Sequence, residues 1–133
     1  VTKRILLLFF LFLIFKAESQ TLHGTHWKLI SIDYLETGVS KQIGEKLVAT
    51  LIFDSDSAYS GRFCNHYSGR YKHDHNNHIK MTVPMGTHMT CLGVEPFEQE
   101  LFLFLSQANK YRVDGDKLFI ITTHHGRLQF KRV

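Results

Sequence analysis

Two cysteines and two histidines, set as Cys64-Asn65-His66 and His88-Met89-Thr90-Cys91, are the side chains of this sequence best equipped for chemistry. Thiolate and imidazole together suit zinc, although neither pair has the C-x-x-C or H-x-x-x-H arm of most zinc sites. The same four residues could serve a thiol-redox function. An even cysteine count outside the cytosol favours a disulfide between Cys64 and Cys91. Closing that 28-residue loop is worth about 3.5 kcal/mol on the chain-entropy model. Disulfide, zinc site and free thiols are all open at this level.

A second cluster, His73-Asp74-His75-Asn76-Asn77-His78, has ligand-type side chains but reads more simply as a solvated hairpin loop that takes up copper or nickel weakly. His124 and His125 sit beside Gly126 in another turn. Nine histidines let the surface charge respond to pH between about 5 and 7. There is no G-x-S-x-G, no H-E-x-x-H and no phosphate-cradling glycine loop, and Asp54 and Asp56 belong to a turn. The expectation is a protein that is not an enzyme and uses no cofactor or metal.

These residues must be held by a mostly β framework. Thr25 to Tyr34 is rich in aromatic and β-branched residues and predicts a strand, and Glu36 to Glu45 a loop. Leu47, Ala49, Leu51 and Phe53 share one strand face, with a turn over 54–57 and returning strands over Ala58 to Phe63 and Ser68 to Lys72. Ile79, Met81 and Val83 share the next face. Phe97, Leu101, Phe104, Leu105 and Ala108 instead fall on one face of a helix opened by Pro96, with Glu95, Glu98 and Glu100 near its positive end. Tyr111 to Val113, the Asp114-Gly115 turn, Lys117 to Thr123, and Leu128 with Phe130 complete the chain as strands. The sum is seven or eight strands with one helix before the last three, an antiparallel sheet curled around that helix.

The first twenty residues have another layout. A basic start at Lys3-Arg4, an 11-residue apolar run from Ile5 to Phe15 and the small residues Ala17 and Ser19 predict a signal peptide over 1–19, cut after Ser19. As a helix the run reaches roughly 16 Å, about half a hydrocarbon core, and a retained anchor is the competing reading. With no cysteine near the cut, lipid attachment is not expected, nor is a transmembrane span once the leader is gone. Removing it takes basic residues from 16 to 13 and acidic from 12 to 11, so net charge falls from +4 to +2. That balance, without a basic stripe along the sequence, predicts no nucleic-acid partner. The full chain is 44% hydrophobic and 21% charged, and the 114 residues that remain suit one globular domain, 20–133.

Four segments carry a family resemblance. Gly61-Arg62-Phe63-Cys64-Asn65-His66-Tyr67-Ser68-Gly69-Arg70-Tyr71 resembles the G-x-x-C-N-x-x-x-G-x-Y signature of the META domain, the HslJ-like family of bacterial envelope proteins, and Thr87-His88-Met89-Thr90-Cys91 resembles its T-x-M-x-C block. Gly24-Thr25-x-Trp27-x-Leu29 and the glutamate-led helix from Glu98 to Leu105 continue the register, so the resemblance covers about residues 22 to 133. It implies an α+β fold, a cracked, lipocalin-like antiparallel barrel with a helix against it, and a Cys64–Cys91 disulfide. Gly61, Asn65, Gly69, Tyr71, Thr87 and Met89 are then signature residues, whose plain explanation is structural: glycines for positive φ or close approach, Asn65 for buried backbone groups at a bend. Phe63 stands where the family usually has a small residue, and is expected to crowd the two cysteines; Thr90 stands for a common Ala.

The family is associated with heat shock, antibiotic tolerance or virulence, and its fold is similar to that of a lipid-binding secretion pilotin. The resemblance therefore implies a periplasmic or secreted, non-catalytic envelope protein, a monomer that binds a protein partner or a lipid-like ligand. The alternative is the thiol-redox or zinc protein built on Cys64, Cys91, His66 and His88. Small barrels are usually packed with side chains, and Trp27, Phe53, Phe97, Leu101, Phe104 and Leu105 are expected to fill this one.

Overall fold

The computed structural model describes residues 21–133; the leader expected over 1–19 lies outside them. Among these residues ten strands and one helix follow in order: β1 His26–Tyr34, β2 Ser40–Gln42, β3 Thr50–Phe53, β4 Ala58–Arg62, β5 His66–His73, β6 Ile79–Met81, β7 Met85–Gly86, α1 Glu95–Ser106, β8 Ala108–Asp114, β9 Lys117–Thr122 and β10 Gly126–Arg132. Eight of the strands run β6-β5-β4-β3-β1-β10-β9-β8, every pair antiparallel, while β2 hangs on β1 and β7 on β5. The two ends of that path approach each other. His78 bridges to Lys110, and the Tyr111 N–H donates to the Asn77 carbonyl at 2.9 Å, so the sheet is a nearly closed eight-stranded barrel and the fold is α+β.

Alternation puts the apolar side chains inside. On β1, Trp27 and Leu29 point inward, then a bulge between Leu29 and Ser31 shifts the parity so that Ile32 also turns in. Trp27 is fully buried near one end: its indole N–H donates to the Thr25 hydroxyl at 2.7 Å, and the Arg132 guanidinium covers its ring at 4.5 Å. Leu101, Phe104 and Leu105 of α1 are buried against this core, with Phe97 half-buried beside them. The helix packs against β6, β9 and β10, and its aromatic residues meet Tyr34 and Tyr67 edge-on at 5.7 and 5.0 Å.

The structure departs from the sequence reading at its weakest local signals. The stretch 36–45 is not all loop, because fully exposed β2 pairs with β1 through Ser31–Gln42, Ile32–Lys41 and Asp33–Ser40. Strand β6 stops at Met81, so Val83 leaves the face it was assigned and lies exposed ahead of Pro84. Ala108 is buried, but as the first residue of β8 rather than on the helix. Among the described residues no helix is long and apolar enough to cross a membrane.

Candidate functional site

Cys64 and Cys91 are joined, with 5.8 Å between their Cα atoms, within the ordinary range for a disulfide. The bond ties the hairpin between β4 and β5 to the segment that leads into α1. Phe63 does not crowd it out: its ring is buried in the core instead. Next to the sulfurs, buried Asn65 is the hub of a polar network. Its backbone N–H and its Nδ2 both donate to the Glu98 carboxylate, each at 2.7 Å. Its Oδ1 accepts from the Met89 N–H at 2.6 Å and the Thr87 hydroxyl at 2.9 Å, while Nδ2 also reaches the Met89 carbonyl at 3.3 Å. One side chain thus fastens the hairpin, residues 87–89 and the first turn of the helix.

The arrangement gives Asn65, Thr87 and Met89 structural work, Met89 through its backbone alone while its side chain lies exposed. Glu98 is the member that sequence reasoning missed, having been taken only as a favourable charge at a helix N-terminus. The available signal was its position: Glu98, Leu101 and Leu105 fall on one helical face, and an acid on an apolar face requires a buried partner.

The signature glycines serve close packing rather than positive φ. In the β4–β5 register Gly61 stands opposite Tyr67 and Gly69 opposite Tyr59. A Cβ on Gly61 would overlap the Thr50 carbonyl and the Tyr67 ring, and one on Gly69 would lie 2.5 Å from the Tyr59 hydroxyl. The ring of each tyrosine lies over the bare backbone, and the hydroxyls finish on carbonyls: Tyr59 on Thr82 at 2.6 Å, Tyr71 on Ser55 at 2.5 Å, and Tyr67 on Thr50. Burial pushes the Tyr59 and Tyr71 phenols up to about 12 and raises Tyr67 as well, so all three stay protonated hydrogen-bond donors at neutral pH. Gly61→Ala is expected to cost about 2 kcal/mol by overpacking, read as a lower midpoint in urea unfolding with an unchanged slope.

The histidines do not gather. His66 and His88 are exposed, and the joined sulfurs leave no thiolate with which they could complete the zinc set. His73 stacks on Tyr71 and meets the Tyr111 hydroxyl at 3.2 Å, whereas His78 pairs with Asp74 at 3.0 Å. Asp74 also accepts the N–H groups of His78 and Asn76, and the His78 backbone above all holds its carboxyl below the usual carboxylate range. Among the described residues no three His, Cys, Asp or Glu side chains form a set that could hold a metal.

An open groove of about 550 Å³ runs over β1, β2 and β10. In it Asp33 accepts from Ser40 at 2.6 Å and from Arg127 at 2.7 Å. Burial raises the Asp33 carboxyl, but the Ser40 and Arg127 hydrogen bonds, the Arg127 charge and a Ser31 hydrogen bond outweigh it and hold the group below its ordinary value. Its stabilisation is present above the unfolded value of about 4 and is lost as pH falls through the folded one. The pair is partly exposed, so Asp33→Asn should remove only a few tenths of a kcal/mol, and only above about pH 4, in acid unfolding curves. A second groove lies at the seam of the barrel, where Lys72, Lys80 and Ser106 come together.

Against known proteins, the family model for the META domain matches residues 20–133. No curated protein matches the chain. Among solved structures, an NMR structure of a protein from Burkholderia xenovorans is similar at 23% identity and TM-score 0.72, over 88% of this chain and 87% of that one. A further NMR structure has 20% identity and TM-score 0.63, over 83% and 90% of the two chains. A crystal structure of a DUF4847 family protein from Bacteroides vulgatus has 13% identity and TM-score 0.58, over 83% and 93%. At such identities the likeness is one of fold.

Proposed function

The chain belongs to the META domain family, and on that premise we propose that it is a periplasmic or secreted, non-catalytic binding module that works as a monomer through its outer surface. The observation that carries this reading is the state of the interior. Trp27, Phe53, Tyr59, Tyr71, Phe104 and Phe130, each about 2% exposed or less, occupy the space in which a lipid carrier would hold an acyl chain. The disulfide supports an oxidising compartment. The hydrogen-bonded and buried polar groups around it support a framework role rather than chemistry, since each has its partner within the fold.

Native mass spectrometry of protein purified from the envelope fraction tests this. A mass equal to the polypeptide with one disulfide is expected, and a stoichiometric acyl-bearing adduct would overturn the outer-surface reading. Thiol labelling of the same material is expected only after reduction. Labelling on chelation alone would return the zinc alternative at Cys64, Cys91, His66 and His88.

A further inference from the structure

The strand register lines up cations that are far apart in sequence. Reading directly opposed residues from strand to strand gives His66 on β5, Arg62 on β4, Thr50 on β3, Lys28 on β1, Lys131 on β10 and Lys117 on β9, before Asp114 ends the row on β8. All alternate with inward-facing core residues and so project from the outer wall. Neighbouring strands are about 4.8 Å apart, so Lys28, Lys131 and Lys117 are three adjacent ammonium groups within roughly 10 Å. Directly opposed like charges destabilise a sheet, and among the described residues none of these three is in an ion pair, although Asp114 stands opposite Lys117. Meanwhile Asp33, Asp74 and Glu100 are engaged by Arg127, His78 and Lys41. Beside the row, Phe119 also faces outward yet is buried, because Arg112 and Arg127 lie over its ring at 4.5 and 5.0 Å; Arg112 adds one more cation to the same wall, Arg127 being paired with Asp33.

We propose that this row binds a flexible, linear, phosphate-bearing polyanion. The proposal rests on the outer-surface reading above and goes beyond it by giving the partner's chemistry. The fold bears the repulsion between Lys28, Lys131 and Lys117 without using them, and an anionic partner relieves it. From Arg62 on β4 to Lys117 on β9 the cations of the row span five adjacent strands of the eight-stranded path, so it bends around a convex wall. A planar membrane meets only a few strands of such a wall, whereas a flexible chain follows it. Recognition is by charge and spacing, so affinity falls steeply with salt.

The test is titration of the folded, oxidised protein with inorganic polyphosphate at about 50 mM salt and upward. Lys28→Gln/Lys131→Gln/Lys117→Gln is expected to bind roughly a hundredfold more weakly, with a log–log salt slope flatter by about 2, and Lys131→Gln alone about fivefold more weakly. The triple variant should melt no lower than the parent, since it loses only repulsion. Arg70→Gln/Lys72→Gln/Lys80→Gln removes the same charge from positions on β5 and β6 that are not part of the row, and should change affinity only a few-fold. Equal loss in both triples would overturn the proposal, as would absence of polyphosphate binding by the parent. Preference for phosphatidylglycerol vesicles over polyphosphate would replace it with a membrane surface. None of these outcomes depends on the bound-lipid measurement, so the two readings fail separately.

Discussion

Replacing both Cys64 and Cys91 by serine lowers the stability of the fold by about 3.5 kcal/mol, which for a domain of this size moves the melting temperature down by roughly 15 °C. The loss comes mainly from freeing, in the unfolded state, a loop whose ends are 27 residues apart in sequence. The native contacts around it persist, because Asn65 still binds Glu98 and Met89, and Leu101, Phe104 and Leu105 still seat the helix. The variant should therefore keep the far-ultraviolet spectrum of the parent and unfold at lower denaturant. Reduced wild-type protein should behave the same way. A melting temperature unaffected by both treatments would mean that the bond constrains nothing the rest of the fold does not already fix.

The second large effect is at Asn65, where the choice of replacement separates packing from polarity. Asn65→Ala removes the acceptor of the Met89 N–H and a donor to the buried Glu98 carboxylate, and is expected to cost about 3 kcal/mol. Asn65→Asp is nearly isosteric, yet it sets one carboxyl oxygen against another across a 2.7 Å contact. Two carboxylates at that distance cannot both ionise, so the pair must retain a proton in the folded state. A folded value raised above the unfolded one gives stability that is intact at low pH and lost as pH rises through it. Asn65→Asp should therefore be the weaker fold at pH 7 and recover part of the difference near pH 4, in paired urea titrations. A pH-independent deficit would remove Glu98 from the explanation.

How much of this was legible beforehand follows from the range over which each feature is encoded. The helix could be read because Pro96 and its apolar period lie within a dozen residues, and the hairpin at Asp114-Gly115 because its turn is local. The Cys64–Cys91 pair was readable from its count and from the family signature. Strands β2 and β7 were invisible: they have two or three exposed residues each and exist only because a longer neighbour offers unpaired backbone groups. The zinc reading of His66 and His88 failed because nearness to a cysteine in sequence does not fix which way a strand or loop side chain faces. The row of cations was hidden for the same reason on a larger scale. A net charge of +2 over residues 20–133 contains no hint of it, since Lys28 and Lys131 meet only through a pairing that joins opposite ends of the described chain.

That pairing also bears on how the barrel closes. In the barrel path β1 lies between β3 and β10, so the first described strand gains its second long neighbour only from the last described one. Until residues 126–132 are in place, β1 and β9 both present open edges and Trp27 lacks its Arg132 cover. The β1–β10 contact is therefore the longest-range pairing of the barrel, and a fold that depends on so non-local a closure is expected to form slowly, while β3, β4, β5 and β6 pair with near neighbours in sequence.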